Sequence, residues 1–410
     1  MKGKIVKVVH LSTTDFGGAY KAVERIQGCM RLYGIQSEIL VRSRFFETKT
    51  TEVIKTPFQK FCSKTRNFFN LLFSHGEVVT DLFGINLKCN PTIQGADVIV
   101  LHWVNSFISA KSVRQLASLG KPILWVMHDM WPFTGGCHYD LYCERYKEGC
   151  GQCPMLKRQR KKDITSFNLH NKKELYCSEN VAFVAISKWE QACALASLPL
   201  KEKQIYWISN PLDTEIFSPV RATQDMKVQY GISQEKQIIL FGADKATENT
   251  TKGFKYLVGA LKQLDGTKYS AVCFGRAPEK DRIQLPNIEI IYLGSIVDES
   301  VLAKWYSIAD VFVAPSIQEA FGYTVCEALA CGTPVVAFAI GGMLDQIVHC
   351  ENGYLAELYN VEELKQGIEY SASHTESLGR RARELVLERN SYEVIGKKYK
   401  EVLERVVEYR

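Results

Sequence analysis

The sequence predicts an α/β protein made of two doubly wound domains, each a parallel sheet with helices on both faces. Three features carry this expectation. Short, wholly apolar runs such as DVFVAP at 310–315 recur along the chain and are followed by residues at helical spacing, as buried parallel strands and their crossover helices require. The order strand, helix, strand at 97–128 argues for right-handed βαβ units. The length of 410 residues and the 46% hydrophobic content suit two full cores, at roughly 150 residues per domain.

Composition limits the classes of function. A net charge of +6 is mild and falls short of a nucleic-acid footprint, so no nucleic-acid partner is expected. The opening MKGKIVKVVHLST reads directly as a strand, with no cleavable leader, and no stretch of ~18 apolar residues follows. A cytoplasmic protein is therefore expected, with its 13 cysteines reduced, buried or bound to metal.

The first strand is expected at 5–11. It runs into STTDFGGAYKAVERI, where Gly17 and Gly18 open an amphipathic helix carrying Ala22, Val23, Ile26 and Met30. A glycine turn at a helix start lets backbone N–H groups approach an anion closely. A second strand is expected at 37–42. The stretch 45–90 is less regular, and in it Phe58, Phe61, Thr65, Phe68 or Phe69 and Leu72 form one helical stripe with Lys60, Lys64 and Arg66 elsewhere. Such a helix either packs on its own domain or touches a membrane surface. Further strands at 97–102 and 121–128 deliver His128 and Asp129 at a C-terminal strand end, where ligands sit in open α/β sheets.

The next loop, WPFTGGCHYDLYCERYKEGCGQCP, holds Cys137, Cys143, Cys150 and Cys153. Four thiolates suit a tetrahedral structural zinc, and the C-x2-C end supplies a tight knuckle. An iron–sulfur cluster or uncoordinated thiols are the alternatives, and the neighbouring His138 is an alternative ligand. The run LKRQRKKD at 156–163 reads as a solvated basic segment or a lipid-headgroup contact.

In the second half, strands are expected at 272–275, 288–293 and 311–314, with long charged helices around 362–371, 378–387 and 392–409. The stretch 314–342 draws the chain's chemistry together. A strand ends at Pro315, a turn at Gly322 opens a helix, and Glu319 and Glu327 stand eight positions apart. Free N–H groups at that helix start suit a phosphate, and the carboxylates suit sugar hydroxyls.

At Glu319, Glu327, Gly332, Thr333, Pro334, Val335 and Val336 the chain resembles the retaining GT-B glycosyltransferases of family four, also called glycosyl transferases group 1. The resemblance implies GT-B architecture, with two Rossmann-like domains facing a central cleft. It implies that Glu319 contacts the donor sugar, Glu327 the nucleotide ribose, and the amides of Ala320, Phe321 and Gly322 the diphosphate. It likewise places Gly17 and Gly18 near the donor phosphates, His128 beside the transferred sugar, and Gly275 near the base. Lys252, in its Lys-Gly-Phe context, matches a diphosphate-binding lysine. No arginine fills the family's partner position, and Lys245 is the nearest cation. Asn210, Asp213, Phe217 and Pro219 match the family's interdomain linker. The expected divisions are 1–211, with the cysteine-rich insertion at 131–156, then 225–390, and a helix at 391–410 that braces the first domain.

The insertion further resembles polysaccharide-assembly transferases of the colanic acid type. The expected activity is therefore transfer of a hexose from a UDP- or GDP-linked donor to a glycan or lipid-linked acceptor, with retention, no catalytic metal and a peripheral contact with the inner face of the membrane. The competing readings are a non-catalytic binding subunit, motivated by the missing arginine, and an acceptor-independent epimerase or hydrolase.

Overall fold

The computed structural model describes residues 6–45, 51–54, 73–74, 78–80, 84–220, 224–242, 249–279 and 282–408. The aromatic stripe expected at 58–72 and Lys245 lie outside the described residues. The chain divides into two compact units, Met1–Pro211 together with Tyr392–Arg410, and Leu212–Ser391.

In the first unit the described strands are β1 (Lys7–Thr14), β2 (Gln36–Ser43), β3 (Thr51–Val53), β4 (Val98–Leu101), β5 (Ile123–Val126), β6 (Val181–Ala185) and β7 (Ile205–Trp207). They pair in parallel in the order β3-β2-β1-β4-β5-β6-β7. Strands β4, β5 and β6 are buried along their whole length, which is why their sequences read VIVL, ILWV and VAFVA rather than alternating. Val9, Leu11, Ile99, Leu101, Ile123, Trp125 and Phe183 build the main core on one face of this sheet, joined by Trp131, Phe133 and Tyr176. The opposite face carries Ile39 and Val41, which pack against Tyr20 and Val23 of α1 (Gly18–Leu32).

Helices α2 (Pro91–Gly95), α3 (Ala110–Ala117), α4 (Ile164–Leu175) and α5 (Lys188–Ala196) make the other crossovers. Each starts on a side-chain cap: Asn90, Ser109, Asp163 and Ser187 accept from amides of the first turn. The basic run at 157–162 is largely exposed and ends at the Asp163 cap.

The second unit has strands β8 (Gln237–Gly242), β9 (Tyr269–Phe274), β10 (Ile290–Gly294), β11 (Val311–Ala314), β12 (Val335–Phe338) and β13 (Gly353–Ala356), all parallel, in the order β10-β9-β8-β11-β12-β13. Its helices are α6 (Gln224–Gln229), α7 (Phe254–Leu261), α8 (Glu299–Ile308), α9 (Tyr323–Ala330), α10 (Met343–Gln346), α11 (Val361–Ser373) and α12 (Thr375–Asn390). The segment leading into this unit is pinned to it: Arg383 donates to the carbonyls of Thr214 and Phe217, and Leu212 N–H donates to Asn390 O at 2.8 Å. The last helix, α13 (Tyr392–Glu408), packs on α1 within the first unit, where Tyr33 Oη donates to Glu393 O at 2.8 Å.

Numbered within its own unit, each sheet runs 3-2-1-4-5-6, with a seventh strand in the first. Both are doubly wound, and the strand order reverses between β1 and β4 in one unit and between β8 and β11 in the other. Such reversal points leave a crevice at the C-terminal strand ends, the usual ligand position in open α/β sheets.

Candidate functional site

In the second unit that crevice holds Lys252 and Glu319. Lys252 closes a one-turn helix, Thr250–Lys252, after β8; Asn249 caps it by accepting from Thr251 N–H at 3.0 Å. The turn then docks on the segment following β11, where Ile317 N–H donates to Thr251 O at 2.9 Å. Gly253 makes the docking feasible, since its φ of +67° and its contact with the Pro315 carbonyl leave no room for a Cβ. The result is an ion pair between Lys252 Nζ and Glu319 Oε2 at 2.5 Å. Glu319 is largely enclosed, with side-chain exposure of 12%, against 31% for Lys252.

Beyond Glu319 the chain enters α9 through Gly322, at φ +85°, with no side-chain cap and no acidic residue in the first turn. The first N–H groups of α9 thus carry the partial positive charge of a helix start, with no carboxylate on the first turn itself. Ala320 and Phe321 are buried, so their part in any diphosphate contact is limited to backbone. Gly341 and Gly342 support this loop from behind: a Cβ on either would fall within 2.1 and 2.3 Å of the Glu319 and Ala320 carbonyl oxygens respectively. Glu327 is only 3% exposed and accepts from Tyr306 Oη at 3.3 Å. Gly275, at φ +101°, lies just past the end of β9 and donates its N–H to Gly294 O at 2.8 Å.

In the first unit Gly17 caps α1 at φ +92°, ψ 176°, a conformation reserved for glycine, and no side chain caps this helix either. Gly18 is its first residue, and the space where a Cβ would sit is open at both glycines. His128 follows β5 and is partly exposed. Burial, only partly offset by the Asp129 charge, brings its ring down to about 4, so it is neutral at physiological pH.

The sequence reading did not single out the partners of these groups. His102 Nδ1 lies 3.0 Å from His128 Nε2, and His102 Nε2 lies 2.9 Å from His10 Nδ1, which makes a file of three rings across β1, β4 and β5. Strand parity was the available signal: His10 shares a face with Val8 and Ser12, His102 with Val98 and Val100, and His128 with Leu124 and Val126. Beside them, Asp129 accepts from Trp103 Nε1 at 2.9 Å, Trp131 N–H at 2.8 Å and His138 Nδ1 at 2.7 Å. Burial alone would raise this carboxyl, but the His138 ring and the three hydrogen bonds hold it below the usual carboxylate range. His138, expected as an alternative metal ligand, is thus engaged by Asp129 and stacks on Trp103 at 5.6 Å.

Cys137, Cys143, Cys150 and Cys153 line one cavity of about 30 Å³. Yet among the described residues no group of three or more His, Cys, Asp or Glu side chains is arranged to hold a metal ion. Burial pushes the Cys137 and Cys150 thiols up to about 12. Leu141, Tyr142, Glu144, Cys150 and Gln152 all have positive φ, so the loop turns repeatedly between its cysteines.

The folds described are those of GT-B proteins. The solved structure of sucrose-phosphate synthase from Thermosynechococcus elongatus matches over 99% of this chain and 100% of its own, with TM-score 0.69 at 19% identity. Anabaena HepE in complex with UDP-glucose matches over 97% and 99%, with TM-score 0.68 at 18% identity. Residues 223–384, wholly within the second unit, match the family model described as Glycosyl transferases group 1, so this unit carries such a domain. An uncharacterized glycosyltransferase of Methanocaldococcus jannaschii is 29% identical over 242 residues, which is 56% of this chain and 61% of that relative. The match thus spans less than two thirds of the relative's length.

Proposed function

We propose that the protein transfers a hexose from a UDP- or GDP-linked donor to a glycan or lipid-linked acceptor, with retention of anomeric configuration, in the assembly of cell-surface polysaccharide at the cytoplasmic face of a membrane. One observation carries this reading: in a group 1 glycosyl transferase domain, Lys252 and Glu319 meet at the reversal point of the sheet, in the loop that leads to the uncapped start of α9.

In this reading the α9 amides and the Lys252 ammonium neutralise charge that grows on the diphosphate as the bond from the anomeric carbon to the phosphate oxygen lengthens. The Glu319 carboxylate accepts hydrogen bonds from sugar hydroxyls. His128, with the turn at Gly17 and Gly18, is the first unit's contribution. The acceptor oxygen bonds to the anomeric carbon on the face the diphosphate leaves, and its proton passes to the departing phosphate oxygen. No separate protein base is used. The complex of Anabaena HepE with UDP-glucose supports a UDP-linked donor as the first to be tried.

The test is a thermal-shift panel of UDP-, GDP- and dTDP-sugars with the parent and with Glu319→Ala and Lys252→Ala. A ligand that binds only the folded state at a hundredfold excess over Kd stabilises it by ~2.7 kcal/mol. One donor class is expected to raise the melting temperature of the parent and to do so less for both variants. No shift with any donor would overturn the reading.

A further inference from the structure

We propose that His102 is a positioning residue for His128: its Nδ1–H donates to His128 Nε2 and thereby fixes the His128 hydrogen on Nδ1. The functional half of this inference rests on the proposed sugar transfer; the structural half stands without it.

The argument is one of counting hydrogens. A neutral imidazole has one N–H and one lone pair, and the nitrogen that holds the hydrogen is set by the bond the other nitrogen makes. Two bonds join the three rings in series, Nδ1 of His10 to Nε2 of His102 and Nδ1 of His102 to Nε2 of His128. With all three rings neutral, only two patterns keep both bonds: every hydrogen on Nε2, or every hydrogen on Nδ1. The rings therefore choose together.

The far end of the file decides between the patterns. His10 is fully buried, and its Nε2 has no hydrogen-bond partner among the described residues. The first pattern would leave a buried N–H there without an acceptor, whereas the second leaves only a lone pair. Orphaned N–H groups are the rarer of the two in native structures. The hydrogens thus sit on Nδ1 throughout, and His128 has Nδ1–H left for a ligand, since among the described residues only its Nε2 is engaged. Burial keeps His10 and His102 well below the ordinary histidine range, in keeping with neutral rings. A ring locked as a donor at Nδ1 suits the lone pair of a sugar hydroxyl oxygen; the other tautomer would present a lone pair instead.

The experiment is ¹⁵N NMR of histidine-labelled protein at pH 7.5, with His128 assigned by its loss in His128→Gln. The same sample is compared with His102→Phe, which removes the donor, and with His102→Gln, whose amide N–H can replace it. The parent is expected to show a single Nδ1–H tautomer for His128. His102→Phe should give a mixture, with kcat lowered at least tenfold and KM for the donor changed less than threefold, and His102→Gln should restore both. A parent His128 bearing its hydrogen on Nε2, a mixture in the parent, or an unchanged tautomer in His102→Phe overturns the lock. An altered tautomer with unchanged kcat overturns its link to transfer. Should no donor bind the parent at all, the transfer reading fails by that separate measurement, while the NMR still decides the lock.

Discussion

Gly253 and Pro315 touch so closely that a Cβ on residue 253 would lie 1.8 Å from the Pro315 carbonyl oxygen. Lys252 owes its place beside Glu319 to that fit. Gly253→Ala would meet backbone that cannot swing aside, in a residue already at φ +67°. It is expected to cost ~2 kcal/mol or more in urea unfolding of the second unit and to weaken nucleotide-sugar binding as well. Parental stability and binding in this variant would mean that the turn does not hold Lys252 in place.

The ion pair itself separates function from stability. Glu319 is largely enclosed but Lys252 is 31% exposed, so solvent screens the pair from the lysine side and its contribution to folding is ~1 kcal/mol or less. Removing a charge that acts on a developing transition state instead costs roughly 100- to 1,000-fold in rate. Glu319→Gln and Lys252→Met are therefore expected to lose about that factor in kcat/KM while their unfolding midpoints stay near the parent's. A loss of stability that matched the loss of rate would assign the pair a structural role only.

Acid should strip stability from the first unit in a definite window. His10 and His128 are held at about 3 and about 4 in the folded chain, against an ordinary value of 6.5. Below pH 6.5 the unfolded chain takes up protons that the folded rings refuse. The contribution is complete above about 6.5 and is lost as the pH falls toward those folded values, by up to ~1.4 kcal/mol per pH unit for each ring. Asp129, also depressed, adds stability that persists until the pH falls through its own lower folded value. Urea unfolding at pH 7.5, 6 and 5 measures the slope. A flat profile would show that the rings are not buried as neutral groups.

Much of the architecture was legible because parallel sheets bury strands on both faces. Runs such as VIVL, ILWV and VFVA could be little else, and the glycine turns marked helix starts at Gly18 and just after Gly322. Glu319 and Lys252 were legible as motif residues, but their pairing across 67 positions follows from the close approach of Gly253 to Pro315, which no local pattern encodes. The histidine file was hidden for a related reason. His10 lies on β1, while His102 and His128 follow the ends of β4 and β5, and only strand order and register make them neighbours. Cysteine spacing pointed to one site, and Cys137, Cys143, Cys150 and Cys153 do line one cavity, in a loop whose positive-φ turns at Leu141, Tyr142 and Glu144 the spacing alone does not encode.

Glu190 supplies a prediction that runs against the usual expectation for a buried carboxyl. It lies on the first turn of α5, fully buried, with Oε2 accepting from Ile186 N–H at 2.9 Å and Oε1 without a hydrogen-bond partner among the described residues. Burial pushes the carboxyl well above its ordinary range; the Ile186 bond opposes this and the Asp129 charge adds to it. A raised folded value means that Glu190 stabilises fully below the unfolded pKa and loses that contribution as the pH climbs toward the folded one. At pH 7 the unfolded chain ionises freely while burial opposes ionisation in the folded chain, so the residue is a burden there. Glu190→Gln has the same shape and hydrogen-bonding oxygen without the ionisation. It is expected to raise stability at pH 7 by about 1–3 kcal/mol and to lose that advantage as the pH falls to about 4.5. Urea unfolding of both proteins at the two pH values measures the difference, and an advantage independent of pH would mean that Glu190 is ionised in the folded chain.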